Sequence, residues 1–179
     1  MMIFSKPIVV FDFETNLITS KKPFPEPIEC GAIKLDRGYD RLDSYHTFIK
    51  NKKDALLNEI TSITQEEIDT GIVEYEFLKQ FSKFCAGCYI CAFNLPYDLG
   101  ILKTTAARNN FELFIGTKII DLKTLCHFTQ DHWGYKTKNT SLGGFYERYL
   151  EEPLKQSHRA MDDVEAAIKI LRFVAERYE

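Results

Sequence analysis

Ile8-Val9-Val10-Phe11-Asp12-Phe13-Glu14-Thr15 is the stretch whose reading decides the fold. Its apolar run, Ile8 to Phe13, reads as a central strand buried on both faces. Alternate residues of a strand share a face, so Asp12 and Glu14 point the same way at its C-terminal end. Open α/β sheets place their sites at that edge. Carboxylates are rarely buried unless paired or bound to metal. The pair therefore marks either a cation site or a strand end that emerges into solvent, and this block alone leaves both readings open.

Two further blocks set acids in apolar sequence, Asn94-Leu95-Pro96-Tyr97-Asp98 and His158-Arg159-Ala160-Met161-Asp162-Asp163. The second opens a helix expected over Ala160 to Tyr178. One face of that helix collects Ala160, Asp163, Val164, Ala167, Ile170, Leu171 and Val174; the other collects Asp162, Glu165, Lys169, Arg172 and Glu176. Asp162 is thus a solvated acid, whereas Asp163 lies on the apolar face, where an unpaired carboxylate costs several kcal/mol or stays protonated. A nearby cation accounts for it better. His158 precedes the helix and reaches the same region, although a lone histidine there is more often a cap or core residue. Asp98 shares a helical face with Ile101, Leu102 and Thr105, and a first-turn Asp is often only a partner of the helix dipole. Together the three blocks imply one metal site assembled from distant parts of the chain. Metals held by carboxylates are a standard means of cleaving a phosphodiester.

The 179 residues, 45% hydrophobic and 27% charged, suit a single domain over 1–179 with a full core. No apolar run approaches a membrane span, and Met1 to Lys6 leads straight into a strand without a signal-peptide pattern. The net charge of -3 argues against tight, nonspecific duplex binding, while divalent ions at the site would offset it locally. Five cysteines, Cys30, Cys85, Cys88, Cys91 and Cys126, point to reduced thiols and a cytoplasmic setting. Cys85, Cys88 and Cys91 have ligand-like spacing, but burial in a helix and a strand explains them more simply.

Strands are expected over Ile8–Phe13, Ile28–Leu35, Leu42–Ile49, Tyr89–Phe93 and Lys118–Asp121. Thr19 to Pro27 reads as a loop, and Asp54 to Asp69 as short helices with loops. Thr64 with Glu67 makes a capping box. Longer helices are expected over Glu74–Cys85, from Pro96 to about Asn109, and over Leu122–Phe128 and Ser141–Tyr149, with an irregular stretch from Gln130 to Thr140. A meander followed by α/β units implies a mixed sheet with helices on its faces.

With these motifs in place, the chain resembles the DnaQ-like, or DEDD, 3'-to-5' exonucleases. Asp12-Phe13-Glu14-Thr15 matches their first motif, Asn94 with Asp98 the second, and His158 five residues before Asp163 the third motif of the histidine subgroup (DEDDh). Ile60-Thr61-Ser62-Ile63-Thr64, Ile120-Asp121-Leu122-Lys123-Thr124-Leu125 and Ser141-Leu142 with Tyr146 extend the likeness over nearly the whole chain. Phe93 stands where many members carry His. Asn16, Phe24-Pro25 and Ile28-Glu29-Cys30-Gly31 look most like the KapD-like and RNA-trimming branch. The resemblance implies an α/β, RNase H-like fold with a five-stranded mixed sheet flanked by helices.

It also implies two-metal hydrolysis of the terminal phosphodiester of single-stranded DNA or RNA, releasing nucleoside 5'-monophosphates. Asp12, Glu14 and Asp163 hold one metal in this scheme. Asp12 bridges to a second, held by Asp98, with the ions about 4 Å apart. Mg²⁺ or Mn²⁺ suits oxygen ligands, and His158 is the general base. Thr15 and the backbone around Asn16 are expected at the 3'-terminal sugar, with Phe93 and Asn94 beside the penultimate nucleotide. Lys21, Lys22, Lys136 and Lys138 are candidates to guide phosphates. The implied partners are a nucleic-acid 3' end and a polymerase or other protein. Two rivals remain. A haloacid-dehalogenase-like phosphatase uses Asp-x-Asp-x-Thr, which Asp12 to Thr15 mimics, but it leaves His158 and Asp98 unexplained. A catalytically inactive nucleic-acid-binding or scaffold module is the other.

Overall fold

A computed structural model describes residues 4–16, 25–50, 61–116, 118–134, 138–155 and 158–177. The order of elements is β1 (Ile8–Thr15), β2 (Pro27–Leu35), β3 (Arg41–Lys50), α1 (Gln65–Thr70), β4 (Ile72–Val73), α2 (Glu74–Cys85), β5 (Tyr89–Ala92), α3 (Leu95–Arg108), β6 (Ile119–Asp121), α4 (Leu122–Trp133), α5 (Leu142–Leu150) and α6 (Ala160–Arg177). The sheet runs β4-β3-β2-β1-β5-β6. β1 pairs antiparallel with β2 and parallel with β5, so it sits where the sheet changes direction.

Strand alternation divides β1 between two cores. Ile8 and Val10 face α4, α5 and α6, with Leu122, Phe145, Val164 and Leu171. Val9, Phe11 and Phe13 face α2 and α3, with Phe77, Phe81, Ile101 and Leu102. On that second side Phe11, Phe13, Phe77 and Phe81 pack ring to ring at centroid distances of 5.2–5.8 Å. This rigid aromatic floor fixes the end of β1 that carries the acids. Asp12 and Glu14 continue the Ile8/Val10 side of the strand, the side covered by α6.

The expected mixed sheet is present, with one strand more than the five anticipated. Ile72 and Val73 pair parallel with Ile49 and Lys50; two residues are too few to display a period. Gly71 lets the chain approach β3, since a Cβ there would lie 2.4 Å from the Phe48 carbonyl oxygen. α4 continues through Gln130 to Trp133, where irregular chain was expected. Its stop is Gly134 at φ 70°, a left-handed residue of the kind that closes helices. The Thr64–Glu67 capping box is formed in both directions. Of the Asp54–Asp69 region, residues 54–60 lie outside the described residues, as do most of the Thr19–Pro27 loop and Lys21, Lys22 and Lys136.

β2 and the start of α6 are in close contact. A Cβ on Gly31 would lie 2.7 Å from both the Ala160 carbonyl carbon and the Met161 nitrogen. Because those neighbours are backbone, Gly31→Ala is expected to destabilise the protein by about 1–3 kcal/mol. A urea midpoint unchanged from the wild type would contradict this packing.

Candidate active site

The site forms where β1 outlasts its parallel neighbour. The last β1–β5 pair is Val10 with Cys91, so Asp12 and Glu14 extend beyond it into a crevice at the strands' C-terminal ends. Opposite them on β2 are Gly31 and Glu29. α6 brings Asp163 into the crevice from its first turn, and α3 brings Asp98 from its own. Ligand atoms of Asp12, Glu14 and Asp163 all lie within 4.8 Å of one another, and among the described residues no other group of three acids, histidines or cysteines meets that condition.

Electrostatics ties Asp98 and His158 to the same cluster. Burial pushes Asp12 well above the usual carboxylate range, and the charges of Asp98, Asp163, Glu14 and Glu29 push it further. Glu14 rises to about 8, first through burial, then through Asp163 and Glu29, against the pull of Arg159. Asp98, 2% exposed, also rises to about 8 through burial. Hydrogen bonds from its own amide and the Phe13 amide pull it down, while Asp121 pushes it up. Asp163 rises to about 6, chiefly by burial, with His158 opposing. Four acids so placed retain protons or take up a cation. An all-oxygen donor set matches a hard divalent ion, so the residues fit the metal that the sequence implies.

Both helices that carry site acids begin after a left-handed residue, Asn94 at φ 68° and His158 at φ 49°. A strand carboxylate also holds each helix start. Asp121 accepts from the Leu95 amide at 3.0 Å, and Glu29 accepts from the Ala160 amide at 3.0 Å. The sequence reading assigned no role to Glu29, Asp121 or Arg159. The signal was available for Glu29, an acid inside the apolar run Ile28 to Leu35, which is the same anomaly that exposed Asp12.

The proposed substrate contacts are placed differently from one another. The Thr15 hydroxyl is 3.3 Å from the Tyr97 hydroxyl at the rim. Asn16 is buried and committed to Glu26: its side-chain oxygen accepts from the Glu26 amide at 2.9 Å, its side-chain nitrogen donates to the Glu26 carboxylate at 3.2 Å, and its amide donates to the Glu26 carbonyl at 3.1 Å. Phe93 is half-buried against Phe145, with the Lys123 amine 6.0 Å from its ring centroid. Asn94 is exposed. All five cysteines are buried and outside any disulfide, and burial raises the thiols of Cys30, Cys85, Cys91 and Cys126.

Acids from one strand, met by acids at two helix starts, form a carboxylate cluster whose oxygens could hold a metal ion. The chain belongs to the RNase_T exonuclease family, whose match spans residues 9–171. That membership sets aside the phosphatase alternative. The chain is 30% identical over 174 residues to the PolC-type DNA polymerase III of Clostridium perfringens, covering 95% of this chain and 11% of the relative. It is 31% identical over 169 residues to that of Thermotoga maritima, covering 93% and 12%. The chain thus spans only about a ninth of these relatives' length. Among solved structures it resembles E. coli Exonuclease I in complex with a dT13 oligonucleotide, with a TM-score of 0.79 at 19% identity over 97% of this chain and 42% of that one. It also resembles a 3'-exonuclease with 3'-end specific recognition of a histone mRNA stem-loop, with a TM-score of 0.75 at 14% identity over 96% and 64%. These likenesses identify the RNase H-like exonuclease fold.

The raised pKa values give a stability signature. Without metal, Glu14, Asp98 and Asp163 hold more protons in the folded than in the unfolded chain from about pH 4 to about 8, so their contribution to stability falls as pH rises through that window. A divalent cation replaces those protons. In EDTA the melting temperature is expected to be lower at pH 8 than at pH 6, with added Mn²⁺ raising it more at pH 8 than at pH 5. Equal Mn²⁺ shifts at both pH values would refute the assignment.

Proposed function

We propose that this chain is a metal-dependent 3'-to-5' exonuclease that removes nucleoside 5'-monophosphates from the end of single-stranded DNA or RNA. The observation that carries this reading is the convergence of Asp12, Glu14 and Asp163 within 4.8 Å in a chain of the exonuclease family. Asp12, Glu14 and Asp163 would hold one Mg²⁺ or Mn²⁺, and Asp98 with Asp12 a second. Bound there, such ions activate water and stabilise the oxygens of an in-line displacement.

The chain's own residues do the remaining work. A ring nitrogen of His158 accepts the proton of the attacking water. Water adds to the terminal phosphorus, the bond to the penultimate 3' oxygen breaks, that oxygen takes a proton from solvent, and the shortened strand leaves with a 3' hydroxyl while His158 returns its proton to solvent. Thr15 and the backbone at Asn16 border the terminal sugar; Phe93 and Asn94 border the penultimate nucleotide. An apolar cleft lined by Pro25, Pro96, Tyr97, Gly100, Ile101 and Thr104 adjoins Thr15 through Tyr97 and suits sequence-tolerant stacking of a base.

Residues 1–179 contain one exonuclease domain in this reading, since the six strands form a continuous sheet. The polymerase names of the relatives favour a polymerase or other protein as partner. Five cysteines outside any disulfide favour a reducing, cytoplasmic setting. No helix among the described residues is long and apolar enough to cross a membrane.

The test uses 5'-labelled single-stranded RNA and DNA oligomers with Mg²⁺ or Mn²⁺. A ladder shortening from the 3' end is expected, abolished by EDTA and slowed about 10²- to 10⁴-fold by His158→Ala. The sugar that supports the ladder identifies the substrate. Intact oligomers in every lane, from folded protein that binds metal, would instead identify a binding module.

A further inference from the structure

Glu29 stands on β2 directly opposite Glu14, so the two side chains share a face of the sheet. It is 1% exposed, and both of its oxygens are engaged by neighbours outside the three acids Asp12, Glu14 and Asp163. One accepts from the Ala160 amide at 3.0 Å. The other accepts from Arg159 Nε at 3.3 Å and lies 2.7 Å from His46 Nε2. Arg159 also reaches Glu67 Oε1 at 3.0 Å, and its guanidinium carbon is 5.3 Å from the centroid of Phe48. The arginine is thus fixed by β2, β3 and α1 together.

Arg159 has a second attachment, through its backbone. Its carbonyl accepts from the amides of Asp162 and Asp163 at 3.0 and 3.1 Å, and His158 is its chain neighbour. Any shift of Arg159 therefore moves the proposed base and one proposed metal ligand together. A buried carboxylate beside three others is electrostatically unfavourable, and an apolar residue of similar volume is often as stabilising as a buried ion pair. What Glu29 supplies, and an apolar side chain does not, is a fixed location for the start of α6.

We propose that Glu29 and Arg159 are positioning residues, which lock the start of α6 to β2 and so set His158 and Asp163 against Asp12 and Glu14. This rests on the exonuclease reading for its kinetic consequence, but not for its effect on metal binding.

The experiment compares Glu29→Gln, Arg159→Ala, Arg159→Lys and Glu67→Gln with the wild type. Circular dichroism reports folding. kcat and KM are measured on the oligomer that the wild type degrades, and metal binding as the Mn²⁺ concentration giving half the rise in melting temperature. Arg159→Ala and Glu29→Gln are expected to lower kcat about 10- to 100-fold with little change in KM and to weaken the Mn²⁺ midpoint. Arg159→Lys, which keeps the charge but loses the fork, recovers part of both. If Glu29→Gln fails to fold, Glu67→Gln serves instead: glutamine still completes the cap with Thr64 but weakens the far end of the Arg159 contact, and a drop in kcat of about threefold or more is expected. Folded Arg159→Ala with kcat and Mn²⁺ midpoint within about twofold of the wild type would overturn the proposal. A wild type that cleaves nothing defeats the exonuclease reading alone, because the Mn²⁺ midpoints still decide whether Glu29 and Arg159 position the site.

Discussion

Like charges brought together out of water repel, and the active end of this molecule is organised around that repulsion. Asp12, Glu14, Asp98 and Asp163 converge where burial alone raises each of their pKa values. Everything nearby either tolerates the repulsion or directs it. The Phe11–Phe13–Phe77–Phe81 packing keeps the end of β1 from yielding. Arg159 supplies a positive charge that opposes the rise of Glu14 without joining the acids. The result is a preformed cluster of oxygen donors whose mutual repulsion a divalent ion would offset.

Two helices meet the strand by the same means. α3 and α6 each follow a left-handed residue, and each presents a backbone amide to a carboxylate from a strand, Asp121 in one case and Glu29 in the other. Helix starts carry unsatisfied amides and partial positive charge, so an acid there both satisfies a donor and is favoured by the field. Asp98 and Asp163 then emerge one turn later, at locations set by sheet residues rather than by the loops before them.

Much of this was legible in the sequence, for physical reasons. Asp12 and Glu14 were conspicuous because acids at the end of an apolar strand are costly, and Asp163 because it broke an otherwise apolar helical face. The long helices and five of the six strands carried readable apolar patterns. The two-residue strand Ile72–Val73 carried none, and the end of α4 was obscured because its last turn is polar while its stop depends on the backbone of Gly134. Glu29 presented the same anomaly as Asp12, but its partners, Ala160 and Arg159, lie some 130 positions away in sequence; no spacing rule links them. Asn16 shows a second link of this kind. Its place after Thr15 suggested a backbone beside the terminal sugar, and nothing in the spacing disclosed that its side chain clasps Glu26.

The outer side of the sheet has a different consequence. β4 meets β3 only at Ile49 and Lys50, so Arg41 to Phe48 have no strand partner on that side among the described residues. An open edge is a ready template for another chain, and charged side chains are a common protection against such pairing. Arg41 and Asp43 are exposed along it, and Arg41 is already engaged with Glu165 of α6. A second molecule adding its strand here would have to place its own segment among these charges and displace that ion pair. Exposed charges along this edge oppose its extension into a larger sheet by a second copy of the strand.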